Sequence, residues 1–395
     1  MIKNINLNGI NYRYSEHVRD FFCDNPIHQE NMFITMDIMN DCVDTAYSLL
    51  KDTYPKLFKP DLLFSDSNEV NAFALGDGRI LITDGLICHA ARLIEQRYTP
   101  DVLSRYQICQ DYSHKEVLSH LRVYLWRFVI LHELYHIWDG HAKWKQRYKF
   151  DIAGKLTAIP LQTLDATESS ISFESEMVNI SIGELGKYLE TYQRNITQQA
   201  LEFDADSSAV CMMVNLLMRD AKARQVADLK KYVRYHIGLI MGALATAFCL
   251  FDGNAGAKFE SLQYLDSQTH PIPAIRMVYA EEIADGALSW YFKNFLERMD
   301  IESEWLSFVV DAEPDHNGVI DIGQVFYFPA YTEKAQRHIC KIKRRLTDMH
   351  DTLSTFVLGN LAEKLADEDI SFLPISVWFT EDGRSLRGWK NPTGS

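Results

Sequence analysis

Apolar residues at Leu118, Leu121, Leu125, Phe128 and Val129 recur at the three- and four-residue steps that line one face of a helix. The spacing predicts one long helix from His114 to Trp144. The same reading predicts helices over 33–52, 174–192, 198–226 and 273–299, and an apolar one over 233–251. "NAFALGDGRILITDGLI", Asn71 to Ile87, has another period: two short strands around the turn Gly76–Gly78, then a helix that runs to Glu95. Residues 98–113 are polar and irregular, and 150–173 read as a loop-rich insertion. Past Ile301 the character changes to strand-like "GVIDIGQVFYF", a helix near 332–366 and a last apolar run, "ISFLPISVWF". The expected fold class is α+β, mainly helical, with a small sheet beside the 114–144 helix. The chain divides into 1–300 and a C-terminal α/β extension, 301–395.

Composition narrows the partners. The 395 residues are 47% hydrophobic and 24% charged, as in ordinary globular proteins. A net charge of -14 opposes phosphates and anionic membrane surfaces, so no nucleic-acid partner is expected. The basic group Lys341, Lys343, Arg344 and Arg345 reads as a solvated helix face. Seven scattered cysteines without a C-x-x-C pair fit a reducing compartment and argue against a cysteine zinc site. The first twenty residues show no apolar signal region. "IGLIMGALATAFCLF", Ile237 to Phe251, falls short of the roughly twenty residues that cross a bilayer, so it reads as a buried core helix, with Gly238 and Gly242 allowing close approach. No membrane span and a cytoplasmic location are expected.

The 114–144 helix carries "HELYH". His132 and His136, four residues apart, share one face and can reach one metal ion, with Glu133 a step round beside its open position. The bland alternative is a pair of satisfied histidines. Gly140 and His141 stand at the wrong offsets for a nearby third histidine ligand. Further on, "EFDAD" places Glu202 and Asp206 on one helix face among the small residues Ala200, Ala205, Ser207, Ser208 and Ala209. Glu202 can complete a His-His-Glu site, and Asp206 can accept the free ring N–H of a ligating histidine. The residues alone leave an exposed acidic face equally open. Asn71 starts a strand whose edge can pair with an extended peptide, or is simply a turn residue. "EPDHNGVIDIGQ" partly mimics a calcium loop, but Gln324 stands at the bidentate position and Asn317-Gly318 reads as a hairpin turn.

Four blocks, in order, resemble the HtpX-like and CAAX-prenyl-protease family of gluzincins, the forty-eighth family of metallopeptidases. These are "NAFALGDGRILITDGLI", "HELYH" with His141 five residues on, "EFDAD", and "SQTHPIPAIRM". The resemblance spans roughly Asn71 to Met277 and implies a zincin-like peptidase core within 1–300. It implies one Zn2+ per chain on His132, His136 and Glu202, with Glu133 as general base. It makes Asp206 the support of a ligating histidine and His270 a candidate oxyanion donor, with Arg276 positioning that segment. It sets Asn71, Ala72 and Phe73 in the substrate strand. The expected activity is a zinc endopeptidase acting on a protein or peptide. The alternative is a zinc-containing pseudoprotease that binds a protein partner; an intact Glu133 favours the enzyme, because binding alone needs no base.

Overall fold

The structure, a computed structural model, describes residues 2–7, 9–15, 26–159, 182–251, 262–293, 301 and 333–359. Five strands form one sheet: β1 (Ile2–Leu7), β2 (Ile10–Ser15), β3 (Leu62–Ser65), β4 (Ala72–Ala74) and β5 (Ile80–Thr83), in spatial order β1-β2-β3-β5-β4. Only β3 and β5 run parallel, and the remaining neighbours are antiparallel. β4 is therefore an edge strand, with one side of its backbone unpaired within the sheet. Its pairing with β5 turns over at Gly78, whose φ of +85° suits glycine.

Thr83 ends β5 and starts α2 (Asp84–Arg97). Its hydroxyl accepts from Leu86 N at 3.3 Å as the helix cap and donates to the Asn71 carbonyl at 2.8 Å. Then come α3 (Pro100–Leu103), α4 (His114–Trp138) and α5 (His141–Arg147). A capping box between Ser113 and Glu116 opens α4. The β6–β7 hairpin (Tyr148–Phe150, Leu156–Ala158) follows, and then α6 (Ile182–Ala223), α7 (Leu229–Phe251), α8 (Leu262–Ser267), α9 (Pro273–Leu288) and α10 (Glu333–Leu353).

α4 lies at the centre, packed on α1 (Pro26–Leu50), α6 and α7. α7 is the one described helix long and apolar enough to cross a bilayer, and 94% of its most apolar stretch is buried inside the chain. α10 lies beyond the boundary drawn at 301, yet its Ala335, Ile339, Ile342, Leu346, Met349 and Leu353 join the same apolar core as α4 and α6.

Several elements differ from expectation. The 114–144 helix breaks after Trp138, because Gly140 takes a left-handed φ of +72° and α5 restarts at His141. Helices expected at 174–192 and 198–226 are joined in α6, which runs unbroken through 193–197. There Asn195 donates to the Ser267 carbonyl at 2.8 Å and Thr197 to the Gln193 carbonyl at 2.7 Å, so these residues suit the helix instead of ending it. Part of the loop-rich insertion is the β6–β7 hairpin. Of the basic group only Arg344 is exposed, so the solvated face expected there is not formed as a whole. Arg345 is buried against Thr197 and Gln193, Lys341 pairs with Asp266 at 2.8 Å, and Lys343 with Glu282 at 2.5 Å. The stretches 160–173, 317–328 and 370–379, including the Asn317-Gly318 turn, lie outside the described residues.

Candidate active site

The second half of α4 brings His132, Glu133 and His136 to a cavity of about 1070 Å³. Residues 71–75, from the β4 edge, form one wall. Gln198 and Glu202 of α6 form another, and the Gln268–Pro273 segment before α9 a third. His132 and Glu133 are buried, at 6% and 7% exposure, on a helix whose opposite faces are taken up by core packing.

Donor atoms of three residues converge. His132 Nε2 lies 3.1 Å from His136 Nε2 and 3.2 Å from Glu202 Oε2, and His136 Nε2 lies 3.6 Å from Glu202 Oε1. Donors held tetrahedrally at about 2.0–2.1 Å from zinc stand about 3.3 Å apart, so the spacing fits that ion. The outer ring nitrogens have partners of their own. His132 Nδ1 lies 2.9 Å from Asp206 Oδ1, and His136 Nδ1 lies 2.7 Å from His141 Nδ1. With protons on the outer nitrogens, both Nε2 lone pairs face the Glu202 carboxylate, an arrangement that a cation stabilises.

The field of the site favours positive charge, which a proton or a metal ion can supply. Burial opposes a charge on His132, but Asp206 and Glu202 outweigh it and raise the ring to about 10. Burial likewise opposes a charged Glu202, yet His270 and His136 hold its carboxyl well below the usual range. Asp206 is fully buried, and despite that desolvation Arg276 keeps its carboxyl low. Arg276 grips it with two bonds, Nε to Oδ2 at 2.8 Å and Nη2 to Oδ1 at 2.6 Å. The same guanidinium stands over the Phe248 ring at 4.5 Å.

The remaining expected residues fall at three places. His270 is at the cavity rim, 61% exposed, with Nε2 3.6 Å from Glu202 Oε1 and Nδ1 3.1 Å from Thr269 Oγ1. Ala72 and Phe73 are in β4, and Phe73 packs edge-on against Tyr12 at 5.4 Å. Asn71 precedes the strand; its Oδ1 accepts from Ala72 N at 2.9 Å, so the side chain serves the local turn.

Other neighbours had no role assigned from the sequence, His141 among them although it stands five residues after the H-E-x-x-H pair. Gln198 donates to Glu202 Oε1 at 2.9 Å; its signal was the i, i+4 spacing on a face already recognised. His141 donates through Nε2 to Asp204 Oδ2 at 3.0 Å, and burial lowers its pKa to about 4, which leaves it neutral. Leu358, from the far end of the chain, also lines the cavity, and no local pattern could have placed it there.

A helical H-E-x-x-H pair beside a small sheet, faced by a glutamate from a second helix, is the arrangement of a metallopeptidase. The chain belongs to peptidase family M48: the model of that family matches residues 53–284, which include all four sequence blocks. Membership makes it a metal-dependent hydrolase of proteins or peptides in a family that depends on zinc. Neither the curated proteins nor the solved structures give a match.

Proposed function

We propose that the chain is a zinc endopeptidase with a zincin-like core, in which His132, His136 and Glu202 hold the ion and Glu133 is the general base. The observation that carries this reading is the convergence of donor atoms from three residues at 3.1–3.6 Å, next to a buried glutamate and in a cavity lined by the edge strand β4. Zinc in such a site supplies Lewis acidity, which acidifies water and polarises a carbonyl. The other steps belong to the chain. β4 pairs with an extended substrate backbone and lays it along the cavity. Glu133 takes the proton of the attacking water and gives it to the leaving amine. His270, exposed at the rim, donates to the carbonyl oxygen as negative charge builds there. Arg276 keeps Asp206 charged and fixes the start of α9 three residues after Pro273, which sets the position of the His270 segment.

Glu133→Gln tests the assignment, because it keeps the size of the residue and removes its basicity. Zinc content and thermal unfolding should match wild type, while peptide cleavage falls by at least about 100-fold. Equal cleavage by the two proteins would remove Glu133 from the mechanism. Zinc retention without cleavage by either would favour the pseudoprotease.

A further inference from the structure

We propose that His141 and Asp204 form a relay that fixes the ring of His136, matching on the second histidine what Asp206 does on the first. The inference rests on the reading that His136 is a zinc ligand. His136 Nδ1 and His141 Nδ1 are 2.7 Å apart, and His141 Nε2 is 3.0 Å from Asp204 Oδ2. His141 and Asp204 are both buried, at 1% and 5% exposure.

The proton order follows from chemistry. A carboxylate only accepts, so His141 carries its proton on Nε2 and gives it to Asp204. At 2.7 Å the two Nδ1 atoms hold only one proton between them, and a His136 that ligates through Nε2 keeps that proton on its own Nδ1, so His141 Nδ1 accepts it. This leaves the His136 Nε2 lone pair pointing at Glu202 and His132. The relay thus holds the one tautomer of His136 that can ligate.

The backbone is built to make this contact. On a continuous helix His141 would stand about 140° round from His136 and a turn and a half further on. The left-handed Gly140 ends α4 and folds α5 back, bringing the two rings to a centroid distance of 4.8 Å. α6 supplies both supporting carboxylates, Asp204 and Asp206.

Asp139, His141 and Asp204 also offer atoms within 4.8 Å of one another, as a second metal site would. Ligation there through His141 Nε2 would move its proton to Nδ1 and force that of His136 onto Nε2, where the first site needs a lone pair. The two metal sites exclude one another, and the relay is the arrangement compatible with a His136 ligand.

The test measures zinc affinity by chelator competition, together with kcat and KM, on the full chain. His141→Leu removes the acceptor. His141→Gln offers an amide oxygen to the same His136 N–H. His132→Ala is the control for the ligand set. His141→Leu is expected to weaken zinc binding about 10- to 100-fold and lower kcat, with KM little changed. His141→Gln is expected to recover most of the affinity. Wild-type affinity in His141→Leu, or equal losses in Leu and Gln, would overturn the relay while leaving the ligand reading intact. Full zinc retention by His132→Ala would overturn the ligand reading itself, and the relay with it. Where His141→Leu does not fold, Asp204→Ala replaces it; unchanged zinc affinity there would also overturn the relay.

Discussion

Asp206 is held from two sides, by the guanidinium of Arg276 and by the ring of His132. Its two partnerships have different consequences. Arg276→Met would leave a buried carboxylate without its cation, a change that costs about 3–5 kcal/mol in comparable sites. Adding Asp206→Leu removes the orphaned charge, so the double variant should recover much of that stability in urea unfolding. It should not recover zinc affinity, because His132 would still lack its support. Recovery of both would reduce Asp206 to a structural ion-pair partner. Glu202 and Asp206 were legible in the sequence because four residues on a helix place them together. Asp204 was not, since two residues turn it to another side, and its partner His141 is reached only through a backbone break that no periodicity signals.

The break itself is an element-scale feature. Gly140 has φ +72°, and a Cβ there would lie 2.5 Å from Phe356 Cβ and 2.6 Å from the Phe356 carbonyl oxygen. Gly140→Ala therefore meets backbone strain, about 1–2 kcal/mol for a left-handed alanine, and a steric clash besides. Urea unfolding should show a loss of at least about 2 kcal/mol, with weakened zinc binding because His141 is displaced. A loss below about 0.5 kcal/mol, the ordinary size of a surface change, would show that the turn adapts. Elements with strong periodicity or turn chemistry were readable: α4, β4, β5, α2 and α7 each fall within or close to the expected spans. β3 was missed because three apolar residues followed by a serine carry no period. The β1–β2 hairpin was missed although Asn8-Gly9 stands between two alternating runs, a signal present in the sequence and passed over. The continuity of α6 was hidden because Asn195 and Gln199 satisfy backbone carbonyls of a segment some seventy residues away.

For the whole molecule, the proposed relay implies that of the two candidate metal groups among the described residues only the one at His132, His136 and Glu202 is filled. The purified chain should carry one zinc that resists dialysis, and metal analysis giving none or two would contradict this. Free zinc at a hundredfold excess over its dissociation constant should add about 2.7 kcal/mol of stability, visible as a shift between zinc-loaded and chelated melting curves. Coincident curves would place the ion off the folded core. The C-terminal helix was foreseen as an element, but its place in the fold was not, because its buried groups answer residues far away: Arg345 meets Thr197, and His338 meets Gln199 and Asp266. Just past it, Leu358 N donates to the Trp138 carbonyl at 2.5 Å, so the last carbonyl of the active-site helix is closed by chain made 220 residues later. During synthesis every proposed zinc donor has been made by Glu202, and the family match is complete by residue 284. The far end of α4 nevertheless stays open until Leu358 has cleared the ribosome. A nascent chain therefore holds every residue of the proposed zinc site well before it holds the residue that closes the last turn of that helix.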